Sequence, residues 1–197
     1  MTYTIHRYPA HLIDVVTLAN GKRLTLRPVL PQDSALLQAY VRGLSPEARY
    51  MRFMRGLREL PPGLLDELTS VDYATHMALL ATLCSGGDEK IVAEAHYAAD
   101  EENPEACEFA VSVANEWQGL GIGRLLLDRL ARDAAAIGFR KVIGNMLREN
   151  RRMRALARRI GLQTQSASGD PLVVRMVKEL KARPEESGAL LEALTVA

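Results

Sequence analysis

Cysteine is scarce in this chain. There are two thiols, Cys84 and Cys107, each inside an apolar stretch. Two cysteines so placed give neither a disulfide framework nor a metal-ligand spacing, so both are expected as buried thiols in a reducing compartment. Neither sign of charge dominates. Twenty-five Lys and Arg stand against 24 Asp and Glu, a net charge of +1, which leaves no global field toward nucleic acid or an anionic bilayer. Long apolar runs are missing as well. The most apolar stretch, MALLATLC at Met77–Cys84, is far shorter than the ~20 residues a membrane-spanning helix needs. The opening MTYTIHRYPAHLIDVV carries charges and Pro9 where a secretory signal needs an apolar run, so a cytoplasmic protein is expected. The chain shows no internal repeat, no low-complexity segment and no G-x-x-x-x-G-K-[ST] phosphate loop.

What is present is ordinary globular composition, 48% hydrophobic and 25% charged over 197 residues. That length suits one domain with a substantial core. Alternating apolar residues flank Asn20-Gly21 and predict a hairpin. LPQDSALLQAYVRGL reads as a helix with Leu36, Leu37, Tyr40, Val41 and Leu44 as its stripe. Further helices are expected from Ser45-Pro46-Glu47 and around PGLLDELTSV. Three strand-like runs follow, HMALLATLC, KIVAEAHYAA and CEFAVSVA, joined by short turn-rich links that favour antiparallel pairing. GRLLLDRLARDAAAIG is an amphipathic helix with the stripe Ile122, Leu125, Leu126, Leu130 and Ala134, stopped by Gly138. A strand (KVIGNML), a helix (RENRRMRALARRIG), a closing pair of strands (LQTQSA, PLVVRMVKEL) and a short terminal helix (PEESGALLEAL) complete the order. The class is α+β with a mixed, mostly antiparallel sheet flanked by helices. The divisions expected are an arm and first hairpin strand over 1–23, a domain over 24–180 and a tail with a short helix over 181–197.

Between the third strand-like run and the long helix lies NEWQGLGIGR, with Gly119, Gly121 and Gly123 in five residues. Such a cluster costs backbone entropy and needs a reason. It is either a tight strand-to-helix turn or a cradle whose bare N–H groups at a helix N-terminus hold a phosphate. The spacing is G-x-G-x-G and does not follow a strand directly, which argues against a dinucleotide fingerprint.

Gln118-Gly-Leu-Gly-Ile-Gly123 fits the [RQ]-x-x-G-x-[GA] motif of the GNAT superfamily of N-acetyltransferases, and ENRRMRALARRIGL is similar to a later helix of that family. More narrowly, LTLRPVLPQDSALLQAYVRGLSPEARYMRF, LTSVDYATHMALLA and EFAVSVANEWQGLGIG resemble the acetyltransferase part of bacterial Pat-type protein lysine acetyltransferases. Asn115 and Trp117 stand where the family often has proline and tyrosine. The resemblance implies a GNAT acyl-CoA fold, acetyl-CoA as co-substrate, no metal, and transfer to an amine acceptor, a protein lysine or else a small molecule. It implies coenzyme contacts from Val111, Ser112, Val113, Gln118, Gly119, Leu120, Gly121, Ile122, Gly123, Arg124 and Asn150. Asn150 also reads as a helix N-cap.

An amine of pKa ~10.4 must lose a proton before it attacks a thioester. Strand alternation puts Glu108, Ala110 and Ser112 on one face and Cys107, Phe109, Val111 and Val113 on the other. Glu108, in the Pat-type E-F-A-V position, is the expected general base. Glu94 and His96 share a face of the preceding strand and are read as a solvated polar face, with a base role as the alternative. Where other members of the family carry an acid and a tyrosine acid, this chain has Asn145 and Ala157. The polar residues Arg49, Tyr50, Arg52, Asp72, Tyr73 and His76 are expected to line the acceptor side. Six arginines over Arg148–Arg159 read as a solvated face, or as ligands for a 3′-phosphate or acidic surface. Two other functions stay open on sequence alone: a non-catalytic acyl-CoA-binding module and, last, nucleic-acid binding. The oligomeric state is open too, a homodimer included.

Overall fold

The computed structural model describes residues 8–166 and 170–180. Eight strands form one sheet in the order β1-β2-β3-β4-β5-β6-β8-β7. They are β1 (Asp14–Thr17), β2 (Arg23–Pro28), β3 (His76–Ser85), β4 (Asp88–Ala99), β5 (Ala106–Val113), β6 (Lys141–Leu147), β7 (Gln163–Ser166) and β8 (Val173–Glu179). The helices are α1 (Ser34–Gly43), α2 (Pro46–Phe53), α3 (Pro62–Thr69), α4 (Ile122–Ile137) and α5 (Arg151–Arg159). The predicted terminal helix lies outside the described residues.

The first hairpin turns where Asn20-Gly21 predicts it, with Gly21 at φ 79 and its N–H on the Leu18 carbonyl. β1 is the edge of the same sheet. Ser45 caps α2 by accepting the Ala48 N–H, and Pro46 takes the first helical position, where its missing N–H leaves nothing unpaired. β3, β4 and β5 are the expected antiparallel meander. The core is the apolar face of this sheet under α4, with Leu26, Leu79, Ile91, Ile122, Leu126 and Leu130 almost wholly buried.

One prediction of the α4 stripe needs correction: Leu127 is buried and Leu125 only partly so. Cys107 is buried as expected, and burial pushes its thiol up to about 12. Cys84 is exposed, because β3 runs past the sheet's covered area into the Ser85–Asp88 turn.

The feature that positions the site is a partial pairing. β5 and β6 are parallel, and they pair only through Ala106, Cys107 and Glu108 with Lys141, Val142 and Ile143. Beyond Glu108, β5 stays on β4 as far as Val113, while β6 stays on β8 as far as Leu147. The two strands therefore part, leaving a wedge-shaped gap in the middle of the sheet. The glycine loop sits at the open end of β5 and the start of α5 follows the open end of β6.

Candidate active site

Backbone direction along β5 can be read from its hydrogen bonds. The Ala114 N–H donates to the Val92 carbonyl of β4 at 2.8 Å. Alternation turns the backbone groups of Ser112 and Ala110 the same way and those of Val113 and Val111 toward the gap. Gln118 supports this, since its Nε2 donates to the Val113 carbonyl at 2.9 Å while its Oε1 accepts from Arg152 of α5. Gln118 thus bridges the two lips of the gap. The far side of the wedge is closed by Phe109, whose ring lies against Gly144 of β6. A Cβ on Gly144 would stand 2.9 Å from that ring, so only glycine permits the approach. Nothing in the sequence pattern singled Gly144 out.

At the open end, Gly119 and Gly121 have φ of 81 and 84. That left-handed conformation is costly for other residues and is one sufficient reason for both glycines. A Cβ at either would meet no protein atom within 4 Å, so the space in front of them is open. Gly123 differs: a Cβ there would stand 3.5 Å from the side chains of Val113 and Leu156, an ordinary contact between α4, β5 and α5. Along Gly119, Leu120, Gly121, Ile122, Gly123 and Arg124, no backbone N–H finds a partner among the described residues. The first N–H to do so is that of Leu125, on the Gly121 carbonyl at 3.0 Å. Six successive free donors at the positive end of a 16-residue helix form a surface that suits a diphosphate. On the other lip, Asn150 caps α5 by accepting the Met153 N–H at 2.9 Å, which leaves its side-chain amide hydrogens free.

The opposite face of β5 carries the polar groups. Glu108 is exposed at the vertex of the wedge, and Asn145 of β6 donates to its Oε1 at 3.0 Å. Its Oε2 has no partner among the described residues. A groove of about 400 Å³ opens beside it, lined among others by Glu67, His76, Asp100, Asn145 and Arg175. Asn145, itself unfit as a base, therefore fixes the orientation of the Glu108 carboxylate.

Glu94 and His96 do not form a solvated face. Glu94 is 5% exposed. Its Oε1 accepts from Arg52 of α2 at 2.8 Å and from the Ser112 hydroxyl at 2.9 Å, and its Oε2 lies 3.4 Å from His96 Nδ1. Burial works to raise this carboxyl, but the Arg52 charge and His96 outweigh it and hold it far below the usual carboxylate range. Such a group is a poor proton acceptor, and this counts against Glu94 as the base. The Ser112 hydroxyl also meets the Tyr40 hydroxyl at 2.9 Å. Ser112 therefore spends its side chain on this network and turns its backbone to β4, away from the gap. Burial and the Glu94 charge push Tyr40 up, so neither hydroxyl is free to protonate a leaving thiolate. Ala157, on the buried face of α5, offers no acid.

Most of the residues expected on the acceptor side turn out to hold the fold. Arg49 donates to the carbonyls of Arg42, Leu44 and Leu57 and so caps the end of α1. Asp72 accepts from the N–H groups of Ala74 and His76, and the Tyr73 hydroxyl donates to the Val29 carbonyl. Tyr50 is exposed and His76 lines the groove. Of the arginine run, Arg148 donates to the Pro171 carbonyl and Arg154 to the Arg148 carbonyl. Arg151, Arg158 and Arg159 are exposed.

A parted parallel pair within a meander, with a donor-lined helix start at its mouth and a carboxylate at its vertex, is the architecture of an acyl-coenzyme N-acyltransferase. Residues 54–162 match the Acetyltransferase (GNAT) family. The chain belongs to that family and is an acetyl-CoA-dependent N-acetyltransferase. It is 33% identical over 156 residues to Acetyltransferase PA5475 of Pseudomonas aeruginosa, covering 79% of this chain and 83% of that one. It is 32% identical over 146 residues to Acetyltransferase Pat of Mycolicibacterium smegmatis, covering 74% of this chain but 43% of the relative. Among solved structures, the GNAT domain of S. lividans PAT superposes with a TM-score of 0.80 at 26% identity, over 88% of this chain and all of that one.

Proposed function

We propose that the acceptor is an amine, a protein lysine side chain ahead of a small-molecule amine, and that Glu108 is the general base. The observation that carries this reading is the place of Glu108: at the vertex where β5 and β6 part and lining the groove, one oxygen held by Asn145, the other without a partner among the described residues. Acetyl-CoA supplies an activated acetyl group on a thiol that leaves readily, with a free-thiol pKa of about 8.5. The residues present fit it. The donors of Gly119–Arg124 suit its diphosphate, the gap-facing backbone of Val111 and Val113 suits its amide-bearing arm, and the Asn150 amide stands at the mouth.

Glu108, directly or through one water, would take the proton from the acceptor ammonium, and the neutral amine so formed would attack the thioester carbonyl and displace coenzyme A as its thiolate. A backbone N–H on the gap side of β5 would stabilise the developing oxyanion without reorganising. The acid-rich wall of the groove, with Glu67 and Asp100 besides Glu108, suits a cationic acceptor, and the likeness to Pat supports a lysine.

The test is thiol release from acetyl-CoA with a lysine peptide as acceptor. Glu108→Gln should bind acetyl-CoA normally and lose roughly 10²–10⁴ in turnover, the usual worth of a positioned base. The deficit should shrink as pH rises and more amine arrives deprotonated. Wild-type turnover and an unchanged pH profile in Glu108→Gln would move the base elsewhere.

A further inference from the structure

Helix α2 lies over the parted strands, touching both β5 and β6. Yet none of its residues is fully buried. Ala48 and Phe53 make partial apolar contact with the core, and the outer side shows Tyr50 to solvent. A helix this short and this shallow draws little stability from its own hydrogen bonds or from area burial. Its position is set by directional polar ties instead.

Arg49 ties the helix back to the end of α1, and two further ties, one toward each end, join it to the elements of the site. At the start, Asn115 of the loop that leads to the glycines accepts the Ser45 N–H and donates to the Ser45 hydroxyl, both at 3.2 Å. Near the end, Arg52 leaves the helix and runs inward until its side chain is 8% exposed. There its Nε meets Glu94 at 2.8 Å and an NH₂ group lies 3.1 Å from His96 Nδ1. Glu94 in turn holds Ser112, on the half of β5 that β6 has left. Every buried side-chain nitrogen and oxygen among the described residues has a partner, so the side-chain network is complete and fixes one geometry.

A buried ion pair of this kind is seldom a net gain over apolar side chains of the same volume. What it does supply is a defined register between the elements it joins. We infer that the Arg52–Glu94–Ser112 network is a positioning device that straps α2 over the gap, and that it sets acceptor affinity and selectivity without touching the reacting atoms. The inference rests on the acceptor entering on the Glu108 face, as proposed above.

Two variants separate a positioning role from a merely stabilising one. Arg52→Met with Glu94→Met replaces the pair by apolar groups, which can leave stability near wild type. Arg52→Lys keeps the charge but loses the planar fork. Each is checked by thermal unfolding, then by hydrogen–deuterium exchange over Pro46–Phe53 and by kinetics. The kinetic probes are a lysine-containing peptide and ethylamine as acceptors, with acetyl-CoA affinity by calorimetry. The expected result for the double variant is faster exchange in α2, a KM for the peptide raised tenfold or more, a smaller change for ethylamine, and unchanged acetyl-CoA affinity. Arg52→Lys should recover part of both exchange protection and KM. Wild-type exchange in α2 together with wild-type KM in the folded double variant would overturn the inference. If the wild type acetylates neither amine, the acceptor reading fails on its own, and exchange over α2 still decides the strap.

Discussion

Consider Gly121→Ala. Gly121 stands at φ 84 with nothing within 4 Å of where a Cβ would go. The substitution therefore meets no protein atom, and its cost in the free protein is backbone strain alone, about 1–2 kcal/mol for an alanine in the left-handed region. For a chain of this length that is a fall of roughly 2–8 °C in Tm. Gly161, at the far end of α5, has φ 76 and equally empty surroundings, so Gly161→Ala should lose about the same stability and serves as the strain control. The two should differ in coenzyme affinity. If a diphosphate occupies the open space in front of Gly121, a methyl group there keeps it from at least one of the free N–H groups. A hydrogen bond to a charged group is worth about 1.5–3 kcal/mol, and 1.4 kcal/mol is about tenfold in Kd. Gly121→Ala should therefore bind acetyl-CoA roughly 10- to 150-fold more weakly than wild type, while Gly161→Ala binds it as wild type does. Calorimetric titration of the two variants, each first shown to unfold cooperatively, makes the comparison. Equal affinities in two folded variants would refute the cradle and leave Gly119 and Gly121 as turn glycines only.

Asn150→Ala should cost about 1 kcal/mol through loss of the α5 cap, whereas Asn150→Asp keeps the acceptor oxygen and should hold its Tm. If the Asn150 amide also meets the coenzyme arm, both variants weaken acetyl-CoA binding, and calorimetry on the aspartate form isolates that effect. Charge removal at Arg124, Arg151 or Arg152 should weaken coenzyme A more than 3′-dephospho-coenzyme A at any position that holds the 3′-phosphate. Equal losses throughout would leave these as surface charges. Glu94 is held below its unfolded value of about 4.5, so the stability it contributes is present above that pH and is lost as pH falls. Between pH 6 and pH 3 the wild type should therefore lose more Tm than Glu94→Gln, and parallel Tm–pH curves would contradict the ion pair.

Much of the fold was legible in sequence because it is written locally. Asn20-Gly21 turns the first hairpin, Ser45-Pro46 starts α2 and Gly138 ends α4, each through the conformation of one or two residues. Period-2 alternation put Glu108 and Ser112 on one face of β5 and Val111 and Val113 on the other, and the structure keeps that division. The glycine loop and Asn150 were legible as well, since a helix start shows itself in the residues that make it.

What stayed hidden depends on partners far apart in the chain. Arg52 reads in sequence as one of the polar residues lining the acceptor side, until β4 brings Glu94, 42 residues on, beneath it. That meeting turned a supposed solvated face into a buried ion pair, which counts against Glu94 as the base. Asn145 became the partner of Glu108 across 37 residues, and Asn115 a fastening for α2 across 70. The parting of β5 from β6 has no local signal at all, for both strands remain well paired on their other sides. Local pattern determines which way a side chain or an N–H points. Only the closing of the sheet decides what stands opposite, and burial of a charge or the opening of a gap is a property of that opposition.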